Sequence, residues 1–118
     1  MATLTVVTAI ETGVDLTYGA CAAGGDEFAN DGDTILLVKN ASGGDVDVTI
    51  TAQTTTGTLP GMGSVTKANA VWTVNAAEDS VLGPFSTTAF NNANGRVEVG
   101  WESTTSVTCV AVQVDKAS

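Results

Sequence analysis

The side chains best suited to binding a cation lie close together in the first third of the chain. Five oxygen-bearing residues make up this group: Asp26, Glu27, Asn30, Asp31 and Asp33. A hard cation such as Ca²⁺ takes several oxygen ligands, often from one loop. The spacing departs from the EF-hand loop, because Phe28 and Asp31 occupy positions that require a ligand and a glycine. The group therefore needs a second interpretation.

That second interpretation is a backbone turn. Asp31 precedes Gly32, and an aspartate at such a position commonly accepts a hydrogen bond from its own backbone. In a calcium site the ligands would instead be Asn30, Asp31 and Asp33. The incomplete ligand pattern favours the turn, and we expect neither a bound metal nor any other cofactor.

Catalytic chemistry has little support elsewhere in the sequence. The chain contains no histidine, which removes the usual base at neutral pH and the Ser-His-Asp arrangement. Asp45 with Asp47, and Glu98 with Glu102, are pairs that a glycoside hydrolase could use. Solvated strand faces explain these pairs more simply, and we expect the protein not to be an enzyme.

Charge and cysteine content limit the partners and the compartment. Thirteen acidic residues against four basic ones give a net charge of −9, which repels nucleic acid and anionic membranes. Residues 1–8 lack the pattern of an export signal, and no apolar run reaches the length of a membrane span. We expect a soluble protein made in a cytosol, with Cys21 and Cys109 as free thiols.

Length and composition predict one all-β domain over residues 1–118, with residues 1–25 as an N-terminal arm and loop. The chain is 43% hydrophobic and only 14% charged, with abundant glycine and threonine, as in folded β proteins rather than disordered ones. Residues 53–70 show neither a helical nor a strand period and are predicted to form a long loop.

Alternating apolar residues predict the strands. Residues 3–8 and 97–102 alternate, as does Val46–Ile50, which we predict to form a hairpin with the preceding strand. Residues 35–38 and Val107–Val114 are instead apolar on both faces. Seven or eight such short strands without an amphipathic helix predict an antiparallel two-sheet sandwich, of jelly-roll or immunoglobulin-like topology.

The strands that are apolar on both faces have two interpretations. They are either central strands covered by loops, or strands with one face in the core and one against a partner, because a two-layer sandwich buries one face of each strand. The second interpretation predicts a homo-oligomer. Its candidate interface residues are Leu4, Val6, Leu36, Val38, Val110 and Val112.

Four aromatic residues could form a platform on which sugars stack: Tyr18, Trp72, Phe90 and Trp101. Trp101 continues the apolar face of Val97 and Val99, so core packing explains it better. The alternative function that these residues suggest is a carbohydrate-binding module on a phage or cell surface.

Several segments together resemble a known family. The segments FANDGDTILLVKN (28–40), VDVTI (46–50), VLGPFSTTAFNNANGRVEVGW (81–101) and TSVTCVAVQV (105–114) are similar to head decoration or cement proteins of tailed bacteriophages. The resemblance covers roughly residues 26–114 and consists of turn and strand signatures rather than active-site residues.

The resemblance implies a β-rich structural protein without catalytic residues. Such proteins bind the outside of the capsid, bridge neighbouring subunits of the major capsid protein and stabilise the head. The expected localisation is the outer surface of the virion, after synthesis in the cytoplasm of the host bacterium. The resemblance implies a trimer or a monomer, and together with the strands that are apolar on both faces it makes a trimer the expected homo-oligomer.

Overall fold

The computed structural model describes residues 1–53, 56–59, 61, 63–66 and 68–114. Nearly all of its regular structure is β, with one short helix, α1, at Thr87–Phe90. The strands are β1 (Ala2–Thr3), β2 (Val6–Ala9), β3 (Gly19–Ala20), β4 (Asp26–Ala29), β5 (Thr34–Asn40), β6 (Val46–Ile50), β7 (Thr56–Leu59), β8 (Gly63–Thr66), β9 (Ala70–Val74), β10 (Asp79–Leu82), β11 (Arg96–Trp101) and β12 (Val107–Val114).

Two five-stranded sheets pack face to face, which confirms the predicted sandwich. The first sheet has the order β1-β4-β11-β6-β9; the second has the order β10-β5-β12-β2, with β3 also paired to β12. The sheets are mixed rather than purely antiparallel, because β1 runs parallel to β4 and β2 runs parallel to β12. Both exceptions come from the N-terminal segment.

Segment 53–70, predicted to be a long loop, contains a separate two-stranded sheet. Strands β7 and β8 pair antiparallel, with Thr56 opposite Thr66. Residues 54, 55, 60, 62 and 67 of this segment lie outside the described residues. The prediction failed because threonine and glycine give no clear apolar alternation, which is the signal that sequence reading depends on.

Strands β5 and β6 are not the hairpin that their short connection predicts. β5 pairs with β10 and β12 in the second sheet, whereas β6 pairs with β9 and β11 in the first. Residues 41–45 therefore carry the chain from one sheet to the other. A turn of this length is compatible with either path, so turn chemistry alone could not decide between them.

One hydrophobic core fills the space between the sheets. The alternation predicted for β6 and β11 is confirmed, since Val46, Val48 and Ile50 are buried together with Val97 and Val99. The aromatic part of the core is a row of three rings. Phe28 packs against Phe85 at 5.8 Å between ring centroids, and Phe85 packs against Phe90 at 5.9 Å.

The first predicted strand is divided between the two sheets. Residues 3–8 alternate in sequence, yet β1 belongs to the first sheet and β2 to the second. Leu4 marks the crossing, where its backbone N–H donates to the carbonyl of Glu27 at 2.8 Å. The N-terminal segment therefore ties the two layers together along one side of the sandwich.

The side chain of Asn40 holds the crossing from β5 to β6. It is 1% exposed, and its amide nitrogen donates to the carbonyls of Gly44, Val74 and Asn75 at 2.9, 3.0 and 3.3 Å. Its oxygen accepts from the backbone N–H and the hydroxyl of Ser42. One amide thus joins the end of β5, the following turn and the end of β9 in the opposite sheet.

Replacing Asn40 should destabilise the sandwich strongly. We expect Asn40→Ala to lower the free energy of unfolding by about 2–4 kcal/mol, because buried carbonyls lose their donor. Asn40→Asp should cost at least as much, since a carboxylate cannot donate to those carbonyls. Denaturant unfolding measures both variants.

The matched control is the exposed Asn94, whose change to alanine should stay within about 0.5 kcal/mol. If Asn40→Ala and Asn94→Ala had equal stability, the crossing would not depend on the buried amide.

Candidate functional site

The acidic turn at residues 30–33 is held by its own hydrogen bonds. The Asn30 amide donates to the carbonyl of Phe85 at 3.1 Å and to Asn91 Oδ1 at 2.7 Å. Its Oδ1 accepts from the backbone of Gly32, and Asp31 Oδ1 accepts from the backbone of Asp33, both at 3.0 Å. The bond from the Asp33 backbone to Asp31 Oδ1 is the one expected of an aspartate in a backbone turn, which supports the turn interpretation.

The predicted carboxylate pairs also bind protein donors. Asp45 Oδ1 accepts from the backbone N–H of Ala76 at 3.0 Å, and Asp47 Oδ1 accepts from the Thr73 hydroxyl at 2.6 Å. Asp47 thus connects β6 to β9, and Asp45 connects the turn before β6 to the turn that follows β9. These bonds attach edge strand β9 to β6.

A different carboxylate pair, which sequence reading missed, lies on the outer face of the first sheet. Glu27 and Glu98 are cross-strand neighbours in β4 and β11. Arg96 Nη1 lies 3.0 Å from Glu27 Oε1, and the Asn92 amide donates to both carboxylates at 3.3 and 3.0 Å. The guanidinium and the amide offset the repulsion between the two acids. The outside of this sheet is therefore polar and acidic.

The outer face of the second sheet is aliphatic instead. Register places Val110 beside Leu37, Val112 beside Ile35, Val81 beside Leu37 and Val7 beside Val112. Paired residues share a face of a sheet, and this face points away from the core residues Leu36, Cys109 and Ala111. We call it the aliphatic outer face, and it consists of Val7, Ile35, Leu37, Val81, Val110 and Val112. Val81 is 65% exposed, Val7, Ile35 and Leu37 are partly exposed, and Val110 and Val112 are buried within the chain.

The predicted interface residues divide between the two sides of this sheet. Val110 and Val112 lie on the side of the sheet away from the core cluster, but they are only 4% and 7% exposed, so other parts of the chain cover them. Leu36 and Val38 are instead 0% and 1% exposed and lie in the core. The prediction that Leu36 and Val38 lie at an interface is wrong, because a side chain buried in the core cannot contact a partner. Their neighbours Ile35 and Leu37 are the partly exposed ones.

The N-terminal interface candidates also face inwards. Leu4 and Val6 are partly buried and pack against the core, so Val7 is the residue of β2 on the outer face. After β2, residues 10–18 contain no strand, and Ile10, Val14 and Leu16 are exposed. Three exposed aliphatic side chains within nine residues make this segment a second apolar surface.

The four aromatic residues proposed for a sugar platform also differ in their exposure to solvent. Phe90 is in the core, Trp101 packs against the core, and Tyr18 lies under the Lys39 ammonium, which is 4.4 Å from the ring centroid. Trp72 alone among these four is strongly exposed, at 56%. The four side chains therefore do not form one platform for a sugar.

Trp72 borders a groove at the open edge between the sheets. The groove has a volume of about 300 Å³ and is lined mainly by apolar residues, which include Ile50, Ala70, Trp72, Leu82 and Phe85. The indole N–H of Trp72 donates to the Ser80 hydroxyl at 3.1 Å, which joins β9 to β10 across the two sheets. The ring thus closes this edge while leaving one face open to solvent.

The two cysteines lie next to each other in the interior, together with Asp26. The thiolate or carboxylate atoms of Cys21, Asp26 and Cys109 are within 4.8 Å of one another, and all three residues are buried. The pKa of the Cys21 thiol is raised, first by its hydrogen bond with Cys109, then by burial and by the charges of Cys109 and Asp26. Both thiols are free, as expected.

The sequence alone does not predict that Cys21, Asp26 and Cys109 lie close together. Cys21 and Cys109 are separated by most of the chain, and Asp26 was assigned to the acidic turn rather than to the interior. Only the pairing of β3 with β12, and of β4 with β11, brings the three side chains to one point. A spacing motif carries no signal for such a group.

No protein-family model, no curated protein and no solved structure matches this chain. Within the described residues, no helix has the length and apolar character that crossing a bilayer requires.

Proposed function

We propose that this protein is a non-enzymatic structural protein that binds the outside of a bacteriophage capsid and stabilises the head. The observation that carries the proposal is the aliphatic outer face of the second sheet. The sequence resemblance to head decoration proteins supplies the biological setting, and the outer face supplies the means of assembly.

The two outer faces differ in a way that suits assembly through one of them. The first sheet presents Glu27, Glu98 and Asp47 to the outside, whereas the second presents Val81 and, in part, Val7, Ile35 and Leu37. A patch of apolar side chains on one side of a small protein is typical of an interaction surface. With a net charge of −9, copies repel one another least when the acidic face points away from the contact.

We assign the aliphatic outer face to contact between copies of this chain, with a trimer as the expected oligomer. Residues 10–18 then contact the capsid, because Ile10, Val14 and Leu16 are exposed and belong to no sheet. An oligomer presents several such segments to neighbouring capsid subunits at once. Each further contact is then intramolecular, so weak single contacts add up to stable attachment.

A substitution on the aliphatic outer face should weaken this assembly. Val81 is 65% exposed on edge strand β10, so Val81→Lys is compatible with folding. We expect self-association to weaken on the order of tenfold or more, since burying a valine contributes about 1.5–3 kcal/mol. Light scattering over a concentration series gives the oligomeric state. Co-sedimentation with heads that lack the protein gives the binding stoichiometry.

Val71→Lys is the matched control, because Val71 is 59% exposed on edge strand β9 of the other sheet. It lines the same groove as Val81, so an effect of the groove itself would appear in both variants. This variant should assemble and sediment like the unmodified protein. The proposed function fails if the unmodified protein neither sediments with heads nor raises their thermal resistance. The assigned face is wrong if both lysine variants weaken self-association equally.

A carbohydrate-binding module is the second candidate function, and the exposed ring of Trp72 beside an apolar groove favours it. Sugars stack on exposed aromatic rings, and a groove of about 300 Å³ is near the lower limit for small-ligand sites. The partner in this case is an oligosaccharide rather than a protein surface.

For this second candidate, a bound oligosaccharide should shift the emission of Trp72 in a concentration-dependent manner. The Trp101→Phe variant should keep the response, since Trp101 packs against the core, and Trp72→Ala should lose it. Fluorescence titration over a panel of bacterial surface glycans is the measurement. Emission that stays constant across the panel contradicts the carbohydrate candidate.

A further inference from the structure

Three buried side chains that could bind a metal meet where the two sheets and the N-terminal segment come together. Asp26 comes from β4 of the first sheet, Cys109 from β12 of the second, and Cys21 follows β3. Gly25 allows this approach, because its φ is +96° and a Cβ at this position would lie 2.9 Å from the carbonyl oxygen of Val99. The backbone is thus fitted closely around Asp26.

The donor atoms have the spacing of a compact metal site. Their mutual distances are all within 4.8 Å. In a tetrahedral zinc site, ligands at about 2.0–2.3 Å from the ion are roughly 3.5–3.8 Å apart. Adjustments of about one ångström in side-chain position would bring the three atoms to coordinating distance. Two thiolates and one carboxylate suit Zn²⁺, whereas Ca²⁺ and Mg²⁺ take oxygen ligands.

The electrostatics of the group also favour a cation. Asp26 is 1% exposed, and within the described part of the chain the only ion pair joins Arg96 to Glu27 instead. Within these residues no basic side chain is paired with Asp26. A divalent cation would supply the positive charge that buried acidic ligands accept.

The carboxylate is oriented in the way that metal ligands usually are. Asp26 Oδ2 accepts from the Trp101 indole N–H at 2.8 Å and from the backbone N–H of Ala22 at 3.0 Å. Such outer hydrogen bonds fix a ligand and hold its lone pairs in place. Both donors contact Oδ2, and Oδ1 is the oxygen we assign to the cation.

A cleft borders Cys109, which is itself 1% exposed, so an ion would enter through a small movement of the segment around it. This cleft has a volume of about 350 Å³ and is lined by residues that include Thr3, Leu4, Thr5, Thr17, Gly19 and Cys109. It lies where β12 is paired to β3 on one side and to β2 further along. A water molecule in the cleft can complete a tetrahedral site with three protein ligands.

We propose that Cys21 Sγ, Cys109 Sγ and Asp26 Oδ1 form a binding site for Zn²⁺ that links the N-terminal segment to both sheets. On binding, each thiol loses its proton to solvent and forms a bond to the metal through sulfur. Two protons are released per ion, and no electron is transferred. The role of the ion is structural, and the site is independent of the proposed capsid function.

The test uses the purified full-length protein, stripped of metal with a chelator and kept reduced. Titration with Cd²⁺ should produce thiolate-to-metal charge-transfer absorption that saturates at one ion per chain. Zn²⁺ should compete for the same site. At 100-fold excess over its Kd, Zn²⁺ should raise Tm by roughly 5–15 °C.

Variants separate this site from other modes of binding. Cys21→Ser should lose the absorption, and Trp101→Phe should weaken binding about 10–100-fold because it removes only the outer hydrogen bond to Asp26. The control is Glu27→Gln, which changes the next carboxylate in the chain on the opposite face of β4 and should bind like the unmodified protein. If Asp26→Asn does not fold, Trp101→Phe still tests the role of the carboxylate.

Three results would overturn the proposal. The first is the lack of saturable absorption in the reduced protein. The second is undiminished binding in Cys21→Ser, which would place the ion on surface carboxylates. The third is a thiol count of zero in denatured protein isolated without reductant, which would identify the pair as a disulfide instead. Failure of capsid binding has no bearing on any of these results.

Discussion

The structure depends on carrying the chain repeatedly between two sheets without leaving buried backbone groups unpaired. Asn40 provides hydrogen-bond donors for buried carbonyls where the chain leaves the second sheet and enters the first. Its amide donates to carbonyls of the following turn and of β9, so one side chain serves both layers. Because an unpaired buried carbonyl costs about 1–3 kcal/mol, a hydrophobic residue of similar size could not take its place. The positions of β5, β6 and β9 all follow from this crossing.

Much of the fold could be predicted, because burial on one side of a strand leaves a direct mark on sequence. Val46–Ile50 and Val107–Val114 are strands with the predicted bounds, and Val97 and Val99 point inwards as their alternation requires. The partner of each strand could not be predicted in the same way. Alternation gives the face of a residue but not the sheet to which its strand belongs. For this reason β5 and β6 were predicted as a hairpin and residues 3–8 as one strand.

For the candidate interface, the sequence likewise left undecided which residues point inwards and which point outwards. Ile35, Leu36, Leu37 and Val38 are all aliphatic, so sequence indicates that both faces of β5 are apolar but not which face is turned inwards. The register with β12 decides this, since Ala111 beside Leu36 is in the core and Val110 beside Leu37 is not. A one-residue shift exchanges the two faces completely. The existence of an aliphatic outer face was therefore predictable, whereas four of its six members were not.

Strand β12 connects this outer face with the buried thiols and with the exposed N-terminal segment. Its inward residues include Cys109, its outward residues include Val110, and both β2 and β3 pair along it. Residues 10–18 are consequently a loop whose two ends are anchored on the same strand. Anchoring at both ends lowers the entropy that Ile10, Val14 and Leu16 lose when they are ordered against a partner. A metal ion coordinated by Cys21, Cys109 and Asp26 would stabilise the attachment of this loop at its β3 end. The exterior surfaces keep their own contacts in either case, because none of their residues belongs to the interior site.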